Sequence, residues 1–239
     1  MAPVRSIVGP SPLVARLNSA HAKGRKNNKK KVLNPKQFTI LVGDNFSVRY
    51  HETSRLQRLI LDNASHGIVL TEFNPFRTLD QMSLSDSAQR LMDTPNAGGS
   101  SIVSEVLSYE VLLRCFGAQL LKTEMEVCYW PTGGSITDYT CRMFNTDLGI
   151  SVTRAMKYHG LYTSFDAERL LMKKLKGVNQ SNKTSLEHWA KQVLHIWATS
   201  KHVASVLIRT YNRIPKKLKA NTVLLITVAR NTQEVFSNS

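Results

Sequence analysis

The stretch Thr222-Val-Leu-Leu-Ile-Thr-Val-Ala229 constrains the fold of this chain more than any other. Eight mostly aliphatic, β-branched residues without polar alternation read as a strand buried on both faces. Such a strand needs neighbours on both sides and helices over both surfaces of its sheet. The expected class is therefore α/β, a central mixed sheet with helices on both faces. Two covering helices are plain. Val103, Val106, Leu107, Val111, Leu112 and Cys115 fall on one helical face after Ser100 or Ser101 as N-cap. Ala167, Leu170, Leu171, Lys174 and Leu175 do the same over 164–176, with Gly177 as C-cap candidate. The apolar positions 186, 189, 190, 193, 194 and 197 also follow helical spacing, so a long helix is expected there, after a short strand over 178–181 and before a helix over 203–211.

Between the first two helices lie three segments that read as consecutive antiparallel strands, 120–130, 136–144 and 150–156, joined through Pro131–Ser135 and Asn145–Gly149. Centring the first hairpin on Gly133 sets Cys128 opposite Asp138, Glu126 opposite Thr140 and Glu124 opposite Arg142. Centring the second on Asp147 brings Arg154 opposite Thr140, beside Asp138 and Glu126. One face then carries three carboxylates and a cation. Hard oxygen ligands with a nearby cation suit Mg²⁺-assisted phosphodiester hydrolysis, whereas a plain Glu124–Arg142 cross-strand pair would be purely structural.

The order of elements after residue 100 resembles the core of the restriction-endonuclease-like superfamily, the PD-(D/E)XK nucleases. A helix bearing Glu105 precedes a three-strand meander with Asp138 on its second strand, then a helix and a further buried strand. The resemblance covers about residues 100–230 and is one of topology more than of motif. It implies that Glu105 and Asp138 hold a metal ion. The third-strand motif departs from the family: Ser151-Val-Thr-Arg154 offers Arg154 for the lysine and Val152 where the second acid belongs. Two readings stay open. Either Glu124 or Glu126 has taken over as ligand, with Asp138, Glu126 and Arg154 catalytic, or the fold persists without catalysis as a nucleic-acid or ribonucleoprotein binding module or a structural interaction protein.

Charge is placed unevenly along the 239 residues, which carry 32 Lys and Arg against 17 Asp and Glu, a formal +15. Residues 1–43 hold nine of the basic groups and no acid, since the first carboxylate is Asp44. Like charges at this density predict a disordered basic tail over 1–36. Its cluster Lys23, Arg25, Lys26, Lys29, Lys30 and Lys31 is a candidate nucleic-acid arm or nuclear import signal. A small N-terminal α+β extension (37–95), the nuclease-like core (96–232) and a short tail (233–239) complete the organisation. Within the extension, 38–42 and 66–73 read as strands, with helices over 53–61 and 83–92.

The remaining constellations are weaker. No run approaches the 18 apolar residues of a membrane-spanning helix, so no membrane partner is expected. The tail points to nucleus or nucleolus, with mitochondrion or cytoplasm as alternatives. Cys115, Cys128 and Cys141 form no CxxC pair, which argues against a structural zinc site. His188, His195 and His202 recur every seven residues, about 10.5 Å on a helix, too far apart to share an ion. Asn96–Ser101 lacks the ending of a phosphate-binding P-loop and reads as ordinary helix entry.

Overall fold

The computed structural model describes residues 37–95, 97 and 101–237. Eight strands make one sheet in the order β1-β2-β3-β8-β7-β6-β5-β4. They are β1 Phe38–Val42, β2 Phe46–Tyr50, β3 Gly67–Pro75, β4 Gln119–Thr123, β5 Tyr139–Met143, β6 Thr146–Ala155, β7 Lys191–Ala198 and β8 Thr222–Ala229. The centre, β3-β8-β7-β6, is parallel, and each side continues as an antiparallel meander. The class is α/β with a mixed sheet, as the apolar run at 222–229 requires. The strands of 37–95 belong to the same sheet, because β3 pairs with β8.

Helices cover both faces. On one side, α1 (Thr53–Leu61), α2 (Asp86–Asp93) and α3 (Ile102–Phe116) pack over Val193, Trp197, Val223 and Leu225. On the other, α4 (Ser164–Thr184) and α5 (Lys201–Arg213) pack over Leu194, Ile196, Leu224 and Ile226, with α6 (Lys216–Lys219) beside them. Successive residues of β7 and β8 therefore feed opposite cores, the two-sided burial that removes polar alternation from a strand.

Several sequence expectations are corrected. The segment 186–197 is not a helix: its second half is β7, every residue of which is buried. A continuously apolar strand satisfies helical and strand spacing at once, and burial on both faces decides it. His188, His195 and His202 consequently share no helix face. Nor is there a strand over 178–181, which belongs to α4, and Gly177 lies inside that helix instead of capping it. A Cβ on Gly177 would meet Ser135 Oγ at 2.9 Å, so the glycine permits close approach of the 131–136 loop. β2 was not foreseen, although Phe46, Val48 and Tyr50 alternate inward.

Both hairpin registers differ from the expected ones. β4 stops at Thr123, and Glu124–Glu126 form a 3-10 turn, so Cys128, Glu126 and Glu124 do not face β5. Lys122 stands opposite Thr140, and Gln119 opposite Arg142. The second hairpin turns at Phe144-Asn145, both left-handed (φ 53° and 59°), which pairs Thr140 with Gly149 in place of Arg154. Arg142 bonds Asp147 in a two-pronged pair at 2.6 and 3.0 Å, and the expected Glu124–Arg142 contact does not form.

Candidate functional site

The first turn of α3, the end of β4 and the start of β5 meet at one edge of the sheet. There α3 delivers Glu105, which is buried and whose Oε1 accepts from Ser101 Oγ at 2.6 Å. The 3-10 turn after β4 delivers Glu124, whose Oε2 accepts the Ala97 N–H at 2.9 Å. Asp138 lies just ahead of β5, with its amide donating to the Ile150 carbonyl at 3.0 Å. Its Oδ2 accepts the Val152 N–H. Glu105, Thr123, Glu124 and Asp138 line one narrow cleft. Asp138 and Glu124 also border a cavity of about 330 Å³ with Ser151, Lys173 and Lys174.

The expected cluster thus divides. Glu105, Glu124 and Asp138 come together, although the hairpin that was to align them has another register. Glu126 turns away: it closes the capping box with Thr123, accepting that residue's N–H at 2.8 Å, and pairs with Arg90 at 2.7 Å. Arg154 donates to the Ser237 carbonyl at 2.6 Å and lines a neighbouring cavity of about 460 Å³ with Lys157, Asp166, Arg169 and Lys173. Continuing the β5–β6 register by one residue sets Asp138 opposite Ser151, which also lines the carboxylate cavity, while Val152 packs into the core under α3. The tail cluster from Lys23 to Lys31, Asn96 and residues 98–100 lie outside the described residues.

Lys174 is a cation of the site that the sequence reading placed on the covering stripe of its helix without joining it to the acids. It sits on α4, and its charge lowers the proton affinity of both Asp138 and Glu124. The signal was its place on the same stripe as Leu170 and Leu171, which turns it towards the sheet.

Burial pushes the Asp138 carboxyl well above the usual carboxylate range, and the neighbouring charges of Glu105 and Glu124 push it further. The Val152 N–H and Lys174 oppose that rise without cancelling it. Glu124 is raised as well, first by burial and then by Glu105. Glu126 is lowered, first by the Thr123 N–H and then by Arg90. Like charges held close cannot all ionise, so Asp138 keeps its proton to higher pH than an ordinary aspartate. A neutral carboxyl beside Ser151 and Lys174 is a set of hydrogen-bond donors, suited to the oxygens of a phosphate diester.

As a metal centre the arrangement does not fit. Among the described residues no three Asp, Glu, His or Cys side chains are spaced to hold one ion. Each of the three carboxylates accepts a hydrogen bond from the protein, and the neighbouring stretch of β6 contributes Ser151 and Val152, neither of them an acid.

Fold and site together define an α/β protein with a mixed sheet and a mixed acid and cation pocket at the sheet edge. No family model matches the chain. It is 40% identical over 184 residues to a Dictyostelium discoideum protein described as AAC-rich mRNA clone AAC4 protein. That match covers 73% of this chain and 27% of the relative, so the chain spans about a quarter of the relative's length. Among solved structures it is similar to Pyrococcus furiosus SfsA in complex with Ca²⁺, at 12% identity and a TM-score of 0.29, over 81% of this chain and 89% of that one. Among the described residues no helix is long and apolar enough to cross a membrane.

Proposed function

We propose that this chain is a nucleic-acid-associated protein with a nuclease-like core, and that the groove from Asp138 to Arg154 receives the phosphodiester backbone. One observation carries the reading. Lys173 borders both cavities, so the pocket of Asp138, Ser151 and Lys174 lies side by side with the one lined by Arg154, Lys157 and Arg169. Cations at intervals along a concave wall match a polyanion, and binding then gains from counterion release. The element order α3-β4-β5-β6-α4-β7 supports the resemblance to the restriction-endonuclease-like core. The acid-free first 43 residues add a second source of attraction. They also support a nuclear or nucleolar location, which fusion of residues 1–36 to a fluorescent protein would test.

Titration of labelled DNA and RNA oligonucleotides with the full chain, over a range of salt, tests the reading. Affinity should fall steeply with salt, and Arg169→Ala with Lys173→Ala should flatten that slope. No affinity for any nucleic acid at low salt would overturn it. The catalytic reading keeps one support, the convergence of Glu105, Glu124 and Asp138 on one cleft. Mg²⁺- or Mn²⁺-dependent cleavage by the wild type that is lost in Asp138→Ala would make the protein a phosphodiesterase. Equal inertness of the two would leave a binding module.

A further inference from the structure

From the exposed rings of Tyr158 and Phe165 beside the basic groove, we infer that the segment joining β6 to α4 is a stacking platform for unpaired bases, so the nucleic acid bound is single-stranded. The inference rests on the nucleic-acid reading above and names the form of nucleic acid. Tyr158 is 76% exposed and Phe165 70%, with Leu161 between them at 79%. Scattered apolar side chains on a surface need no explanation, but three within eight residues do when Lys157, Tyr162 and Asp166 of the same segment line a cationic cavity.

The segment is held, so the exposure of these rings is built in. Tyr162 is buried and packs into the core beneath α4, and its carbonyl meets His202 Nε2 at 3.3 Å. Asp166 closes a capping box with Thr163 and accepts from Lys157 Nζ at 3.0 Å. With the backbone anchored at 157, 162 and 166, the side chains of 158, 161 and 165 are left outward. A platform fixed before binding loses little entropy when a base settles on it.

Cations continue from the rings in the right direction. Phe165, Arg169 and Lys173 stand four residues apart on α4, on one stripe about 12 Å long that ends at the Asp138 cavity. Among the described residues, neither Arg169 nor Lys173 has a carboxylate within 4 Å. Aromatic faces leading into a cationic track are the chemistry that binds single strands with little sequence preference. In a duplex the base faces are covered by stacking, so the rings would have nothing to meet.

The test is fluorescence anisotropy of the full chain with a 15-nucleotide single strand, the matching blunt duplex and anionic phosphatidylserine vesicles. Tyr158→Ala with Phe165→Ala should weaken single-strand binding by about tenfold and duplex binding by less than about twofold. Tyr158→Trp with Phe165→Trp should retain the single-strand preference. Equal losses for strand and duplex, or no loss, would overturn the platform while leaving nucleic-acid binding intact. Loss of vesicle binding alone would also overturn it and assign the rings to a membrane surface. A wild type that binds neither nucleic acid would remove the underlying reading.

Discussion

His195 Nδ1 and Ser108 Oγ stand 2.7 Å apart, joining the central strand β7 to helix α3 through the core. The other ring nitrogen, Nε2, meets Thr227 Oγ1 at 2.7 Å. The chain of contacts runs on from Thr227 to Thr71 and from Ser108 to the Tyr139 hydroxyl, each at 2.8 Å. Because every member has a partner, the buried polar row costs little, and it ties β3, β8, β7, α3 and β5 in one arrangement.

Burial holds His195 neutral, with its pKa down at about 3 from the ordinary 6.5. A depressed folded value means the unfolded chain takes up the proton first, so the stability is fully present above pH 6.5 and is lost as pH falls towards 3. His195→Leu removes both bonds and should cost about 1–3 kcal/mol at pH 7. It also removes the acid-sensitive proton, so the gap between wild type and variant should narrow from pH 7 to pH 5. Urea unfolding at the two pH values checks both statements.

Asp138 works in the opposite sense. Its carboxyl is raised by burial and by Glu105 and Glu124. The native state therefore holds a proton that the unfolded chain has released, and stability falls as pH rises from the ordinary 3.8 through the raised value. Asp138→Asn keeps an acceptor for the Val152 N–H and has nothing to titrate. Its melting temperature relative to wild type should climb from pH 5 to pH 8. Asp138→Ala, which orphans that N–H, should lie below the Asn variant throughout. A pH-independent difference would mean that Asp138 is ionised like an ordinary surface acid.

What the chain discloses about itself follows from which residues carry an unambiguous signal. Thr222–Ala229 is bounded by polar residues and too short for a core helix, and it forms β8 over the stated range. Val193, His195 and Trp197 alternate like a strand, yet Trp189 and Ala190 extend them into helical spacing, and only the presence of two cores resolves the conflict. The hairpin registers were illegible because the second turn uses Phe144 and Asn145 at positive φ, without the glycine that advertises such a turn. Three of the four expected acids meet, Glu126 does not, and the neighbouring cation is Lys174 where Arg154 was expected. Glu105, Glu124 and Asp138 converge because three element ends meet at one edge, while Lys174 comes from the helix after the meander, 36 residues beyond Asp138.

That lysine makes a prediction of its own. Lys174 lowers the proton affinity of Asp138 and Glu124, so Lys174→Met should raise both carboxyl pKa values. Glu126 is held low by Thr123 and Arg90 and should not move. Carboxyl ¹³C titrations of the two proteins give all three values at once. A parallel shift of Glu126 would mean that the acids form one electrostatic group instead of two.

Gly177 gives the last test, of how closely α4 approaches the loop that walls the Asp138 cavity. In a helix interior, alanine in place of glycine is worth about 1 kcal/mol of helix propensity. A Cβ at this position, however, would stand 2.9 Å from Ser135 Oγ and 3.2 Å from Ser135 Cβ. Contacts that short must be relieved by moving the loop, so Gly177→Ala should stabilise by much less than the propensity gain or destabilise outright. Ser135→Gly removes both offending atoms. In that background Gly177→Ala should recover stabilisation of about 0.5–1 kcal/mol, and the two substitutions should be clearly non-additive. Additivity in a double-mutant cycle by denaturant melts would show that the loop yields freely. The cavity would then lack a fixed wall between α4 and the carboxylates.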